Sequence, residues 1–201
     1  MRMIRGMAVT LLLGCTSAWA DVGMVTQMSG EVSVAAAGAT RAAVPFYKVS
    51  AGDKLTLGAN ARVQMVYFGN GRQEVWQGAG SVEVGSMESK SALTPRVSQL
   101  PPLVVNQLAK TPAAGRQGKA GMVRVRSLAR PDAAHIEKQY QELKATVAAD
   151  DLTPEVFLLT SLIEIREYAR AKELLAGFGG KPGYESVVDH FSPIVAADAP
   201  K

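Results

Sequence analysis

RVQMVYFGNGRQEVW, residues 62–76, decides the fold. Val63, Met65 and Tyr67 alternate with Arg62, Gln64 and the more apolar Val66. Successive side chains leave a strand on opposite faces, so this period-two pattern, rich in β-branched and aromatic residues, predicts a half-buried strand. Asn70-Gly71 separates it from a second such run over residues 73–76. Asn-Gly between two strand-like runs is a strong hairpin signal, because both residues tolerate the positive φ of tight type I′ turns.

The same pattern spreads in both directions. Val32 and Val34 alternate around Ser33, and Val82 and Val84 around Glu83. Turn signals lie between these runs: Gly30, Ala51-Gly52-Asp53, Gly58-Ala59-Asn60 and Gly78-Ala79-Gly80. Short strands at roughly ten-residue spacing predict a small β-sandwich or roll over residues 22–85, and not a βαβ sheet.

These residues also carry a family likeness. Gly30-Glu31-Val32-Ser33-Val34, Ala51-Gly52-Asp53-Lys54-Leu55, Gly58-Ala59-Asn60-Ala61-Arg62-Val63, Phe68-Gly69-Asn70-Gly71 and Gly80-Ser81-Val82-Glu83-Val84 follow in the order that resembles a FecR-like domain. Asn70 stands where the family's hairpin usually has an acidic residue. In signalling members of that family, a periplasmic FecR region is joined through a membrane helix to a cytoplasmic anti-sigma region. The 201 residues show neither partner segment, so the resemblance implies a recognition module and not an anti-sigma regulator.

Upstream, Arg2 and Arg5 precede an apolar run over about residues 7–15, and Ala18-Trp19-Ala20 leads to Asp21. Charged, apolar and small-residue regions in that order predict a secretory signal peptide, residues 1–20, and a periplasmic address. The apolar run is shorter than the roughly 20 residues of a membrane span, and no later segment reaches that length. Leu12-Leu13-Gly14-Cys15 also resembles a lipobox, which leaves a lipid-anchored protein beginning at Cys15 as the alternative. Cleavage after Ala20 removes Cys15, the single cysteine, and with it every disulfide, thiol nucleophile or cysteine-bound metal.

Downstream, residues 86–131 read as a basic connector containing prolines at 95, 101, 102, 112 and 131. Between 89 and 130 lie eight basic residues and no acidic one, while residues 21–88 net −1 and 131–201 net −5. The run at 100–108 (LPPLVVNQL) is apolar enough to pack as a short helix, and 122–128 (MVRVRSL) alternates as another strand would. The charge suits either a solvated linker or attraction to lipid head groups or an anionic envelope polymer, with Arg124 and Arg126 as contacts. An exported chain rarely meets nucleic acid, which is excluded as a partner.

Residues 132–201 read as helical. Ile136, Tyr140, Leu143 and Val147 form one apolar stripe behind an Asp132 cap. Thr153-Pro154-Glu155 combines an N-cap, an early proline and an early carboxylate. The helix it opens holds Val156, Phe157, Leu158, Leu159, Leu162, Ile163 and Ile165, too many apolar residues for one exposed face, which predicts that it is sandwiched between neighbours. A third helix follows from Ala169 to Ala176, stopped by Gly177 and Gly179-Gly180, and a fourth over 185–191. Residues 154–166 and 168–178 resemble one tetratricopeptide-type hairpin, with Tyr168, Ala171, Leu174 and Leu175 as packing positions. The fold class is thus α+β.

Chemistry is sparse. His135 and His190 sit in no metal pattern, and no nucleophile elbow or phosphate loop occurs. Asp150-Asp151 precedes a helix start, and Glu164 and Glu167 lie on a polar helix face. No catalytic residue, cofactor or metal is expected. Tyr67 and Trp76 could stack on a sugar ring or pack across the hairpin. The reading is a non-enzymatic envelope protein with an envelope protein partner, and its alternative is a cell-wall or glycan-binding module.

Overall fold

The computed structural model describes residues 20–114 and 132–198. Ten strands come first: β1 (Asp21–Ser29), β2 (Val32–Ala36), β3 (Ala39–Ala42), β4 (Lys48–Ser50), β5 (Lys54–Leu57), β6 (Arg62–Tyr67), β7 (Arg72–Gln77), β8 (Gly80–Val84), β9 (Ser89–Ser91) and β10 (Arg96–Gln99). Five helices follow: α1 (Pro102–Lys110), α2 (Ala133–Thr146), α3 (Thr153–Glu164), α4 (Tyr168–Phe178) and α5 (Glu185–Asp198). The strands form two antiparallel five-stranded sheets, ordered β10-β7-β6-β1-β4 and β3-β2-β5-β8-β9. The fold class read from the sequence is the one the structure has.

Three layers result. Val63, Met65, Tyr67 and Trp76 of the first sheet meet Val34, Leu55, Val82 and Val84 of the second in the sandwich core. On the other face of the first sheet, Met24 and Val66 join Leu108, Ile136, Leu159 and Phe191 of the helices in a second core. The first sheet is therefore covered on both sides. Strand β1 carries the consequence: Met24 faces the helices and Val25 the sandwich, so the run does not alternate and offers no period-two signal.

Helix α3 is the axis of the helical layer. Every residue from Thr153 to Ile163 is buried, as expected of a helix with too many apolar residues for one exposed face, and Thr153, Glu155, Thr160 and Ser161 are buried with them. Helix α2 starts as expected, with Asp132 accepting from the His135 backbone N–H at 2.7 Å. Ala171 and Leu175 of α4 are buried, with Tyr168 and Leu174 packed at the core's edge.

Several local expectations are corrected. The hairpin loop spans residues 68–71, with positive φ at Gly71 and not at Asn70, so it is no type I′ turn. Asn70 instead accepts from Arg72 N–H at 3.0 Å and donates to Met87 O at 2.9 Å. Gly71 is needed twice over: φ is +71°, and a Cβ would stand 2.8 Å from Leu100 O. Thr153 begins α3 and Leu152 holds the cap position, while the Asp151 carboxylate just before it accepts the Thr153 N–H at 2.8 Å. Helix α4 runs through Gly177 and ends at Gly179, and α5 continues past residue 191 through Pro193. The stretch read as a connector supplies β9 and β10 as edge strands, while the run at 100–108 forms the short packed helix expected there, α1. Its prolines bracket α1, with Pro101 as cap and Pro102 in the first turn, where a missing N–H costs no helical hydrogen bond. The strand expected over 122–128 lies outside the described residues, as does the signal segment up to residue 19.

Candidate functional site

Covering the first sheet with helices places a polar surface in the interior. Alternation sends Arg62, Gln64 and Val66 of β6 to the helix side, opposite the sandwich core. Register then lines up neighbours: Gln64 pairs with Val75 and Val75 with Arg96, while Val66 pairs with Gln73 and Gln73 with Ser98. One end of this face is apolar and packs on α1 and α3. The other end is a polar grid in which Gln64 and Gln73 are buried, Arg62 is half-buried, and Arg96 and Ser98 of edge strand β10 are exposed.

The turn before α3 descends onto that grid. Asp151, 9% exposed, accepts from Gln64 Nε2 at 2.7 Å and from Gln73 Nε2 at 3.0 Å. Thr153 Oγ1 accepts from the same two amides at 3.2 and 3.1 Å. Ser98 Oγ donates to Gln73 Oε1 at 2.7 Å, which fixes that amide's orientation. Arg62 closes the rim on Asp150 at 3.2 Å. Beside this clamp lies a cavity of about 180 Å³, between the β6–β7–β10 grid and the end of α2.

Of the residues expected to bind, Tyr67 and Trp76 are buried in the sandwich core, 0% and 2% exposed. The sugar-stacking expectation is corrected on that ground, since a ring enclosed by two sheets presents no face to a ligand. Arg124 and Arg126 lie outside the described residues. The rings flank a buried ion pair: Arg72 Nε meets Glu74 Oε1 at 2.6 Å, and Trp76 Nε1 donates to Glu74 Oε2 at 3.2 Å. Burial pushes the Tyr67 hydroxyl up to about 12, against its hydrogen bond with Ser89 Oγ at 2.6 Å. It stays a neutral phenol that ties β9 to the sandwich.

Another buried carboxylate, Glu155, is held by Lys144 at 3.0 Å and by the Tyr140 hydroxyl at 3.3 Å. The hydrogen bond to Tyr140 and the Glu155 charge raise the Lys144 ammonium above the ordinary lysine range. Each of these groups is engaged in a closed structural pairing.

The histidines behave differently from each other. The exposed His135 ring meets Gln139 Nε2 at 2.9 Å. His190 stacks on Phe46 at 4.3 Å, and its Nε2–H donates to Pro112 O at 3.0 Å. Phe46 sits at φ 64°, a left-handed conformation that a bulky residue adopts at a cost of about 1–3 kcal/mol, held by packing against His190 and Phe191. Burial lowers the His190 imidazole from 6.5 to about 4, outweighing the Pro112 contact, which acts in the other direction. Between those values the unfolded chain takes a proton that the folded chain refuses. Stability should therefore fall as pH falls through that window and level off below it. His190→Phe should remove on the order of 1–2 kcal/mol of that decline, the remaining solvent contact moderating the effect. Urea unfolding at pH 7 and 4.5 measures it, and equal declines in both proteins would refute the assignment.

Among the described residues no three His, Cys, Asp or Glu side chains gather as a metal site. Likewise, no helix among them is long and apolar enough to cross a membrane. Compared with known proteins, the chain matches no family model, no curated protein and no solved structure.

Sequence reasoning missed Gln64, Gln73, Asp151 and Thr153 as one group. Gln64 and Gln73 read as the polar side of a hairpin, and Asp151 as a helix-start charge. Nothing local signals that 78 residues separate two ends of one hydrogen bond, Gln73 to Asp151.

Proposed function

We propose that the chain is a non-enzymatic protein of the cell envelope, exported to the periplasm, that acts by protein–protein recognition through its FecR-like β-sandwich. The observation that carries this reading is the asymmetry of the sandwich. Its first sheet is buttressed by the helices, whereas Lys54 and Thr56 of β5, Glu83 of β8 and all of β3 are exposed on the second. A rigid sheet with one free face and short free edges suits docking of a folded partner. The closed pairings of Glu74, Glu155 and Asp151 agree with structural roles for the buried acids. A glycan-binding role loses its aromatic platform with the burial of Tyr67 and Trp76.

A photoreactive residue at Thr56, introduced in cells, tests this. It is expected to give one discrete adduct with an envelope protein, while the same group at Glu137 on α2 gives none. Absence of any adduct from the second sheet's free face, with the chain present in the periplasmic fraction, would overturn the proposal.

A further inference from the structure

The cavity beside the Asp151 clamp has a chemistry of its own, and the inference it carries is independent of the recognition reading. We propose that it binds a small carboxylate bearing an apolar tail. Its volume of about 180 Å³ is below the roughly 300–1,000 Å³ of sites for drug-sized molecules, which restricts the ligand to a few carbons or to one chain end. Leu100, Leu143 and Val147 provide apolar wall.

The polar lining divides into spent and unspent groups. Asp151 Oδ1 and Oδ2 are taken by Gln64 and Gln73, and Gln73 Oε1 is taken by Ser98. That floor is rigid and offers little to a donor. The rim is the reverse. Arg96 lines the cavity from the exposed edge strand β10, and its side chain has no ion-pair or hydrogen-bond partner among the described residues. Arg62 has Asp150 at 3.2 Å, but that carboxylate is 66% exposed, and such surface pairs contribute little. The guanidinium N–H groups of this rim select an anion. Planar, parallel donors match a carboxylate, and the apolar wall selects a hydrocarbon behind it.

Two sources share that chemistry: a free short branched acid and the carboxy-terminal residue of a peptide. Calorimetric titration of the full chain with 4-methylpentanoate and with the tripeptide Ala-Ala-Leu, each beside its amide, separates them. At least one acid should bind saturably, with its amide at least tenfold weaker. Binding of 4-methylpentanoate alone assigns a free acid, and binding of the tripeptide assigns a chain end. Arg96→Gln, a change on an exposed edge strand, should weaken binding at least tenfold, as should Val147→Trp, which fills the cavity. Circular dichroism and the unfolding midpoint check that both variants fold. No saturable binding of either acid, or unchanged binding in Arg96→Gln, would overturn the proposal. The titration needs no protein partner, so its failure and that of the crosslinking experiment are separate results.

Discussion

Arg72→Met should lower the unfolding free energy by about 3 kcal/mol, because it strands a charge inside the sandwich. Glu74 is 0% exposed. Its oxygens accept from Arg72 Nε at 2.6 Å, Trp76 Nε1 at 3.2 Å and Ser89 N at 3.3 Å. Only the first partner carries compensating charge. Removing one member of a buried pair typically costs about 3–5 kcal/mol, and the 28% exposure of the Arg72 side chain argues for the lower end. Adding Glu74→Gln should recover part of the loss, since it removes the charge and its one amide oxygen still accepts from either the Trp76 or the Ser89 N–H, which bond different oxygens of Glu74. Urea unfolding with a fixed m-value measures both steps. A double variant no more stable than Arg72→Met would show that the stranded charge is not the cause.

Asp151→Ala should cost about as much, roughly 3 kcal/mol, for a different reason. The alanine leaves Gln64 Nε2, Gln73 Nε2 and the Thr153 N–H without their carboxylate acceptor, and each unsatisfied buried donor costs about 1–3 kcal/mol. Both amides keep Thr153 Oγ1 at 3.2 and 3.1 Å, which holds the total below a simple sum. Asp151→Asn should fall between the two proteins. One of its atoms remains an acceptor, but its amide N–H₂ takes the place of an oxygen that accepted from Gln64 or from Gln73. Hydrogen exchange at the first turn of α3 should rise in Asp151→Ala before exchange in the sandwich does. A loss under about 1 kcal/mol, or equal deprotection of both layers, would refute the clamp.

The same clamp shows how far the sequence can be read. The strand pattern over 62–76, the turns at 51–53, 58–60 and 78–80, and the caps around α2 are local properties. They depend on side-chain period and on the φ that Gly permits, so they were legible. The excess of apolar residues on α3 announced that neighbours enclose it, without naming them. The α1 segment was legible as an apolar run behind two prolines, but its place against the first sheet was not.

What the sequence determined by itself is therefore the class: alternating strands first, amphipathic and apolar helices after. Only the tertiary structure decided which face of the first sheet the helices cover. Alternation reports that two faces differ, yet polar side chains on one face are compatible with solvent or with a matched polar partner. Here Asp151 and Thr153 supply that partner for Gln64 and Gln73, so a face that reads as solvated is interior. Tyr67 and Trp76 illustrate the converse, since aromatic rings on a strand read alike as platform or core until a second sheet closes over them. Distant hydrogen bonds and layer order are set by packing between segments far apart in the chain. Local periodicity carries no record of them.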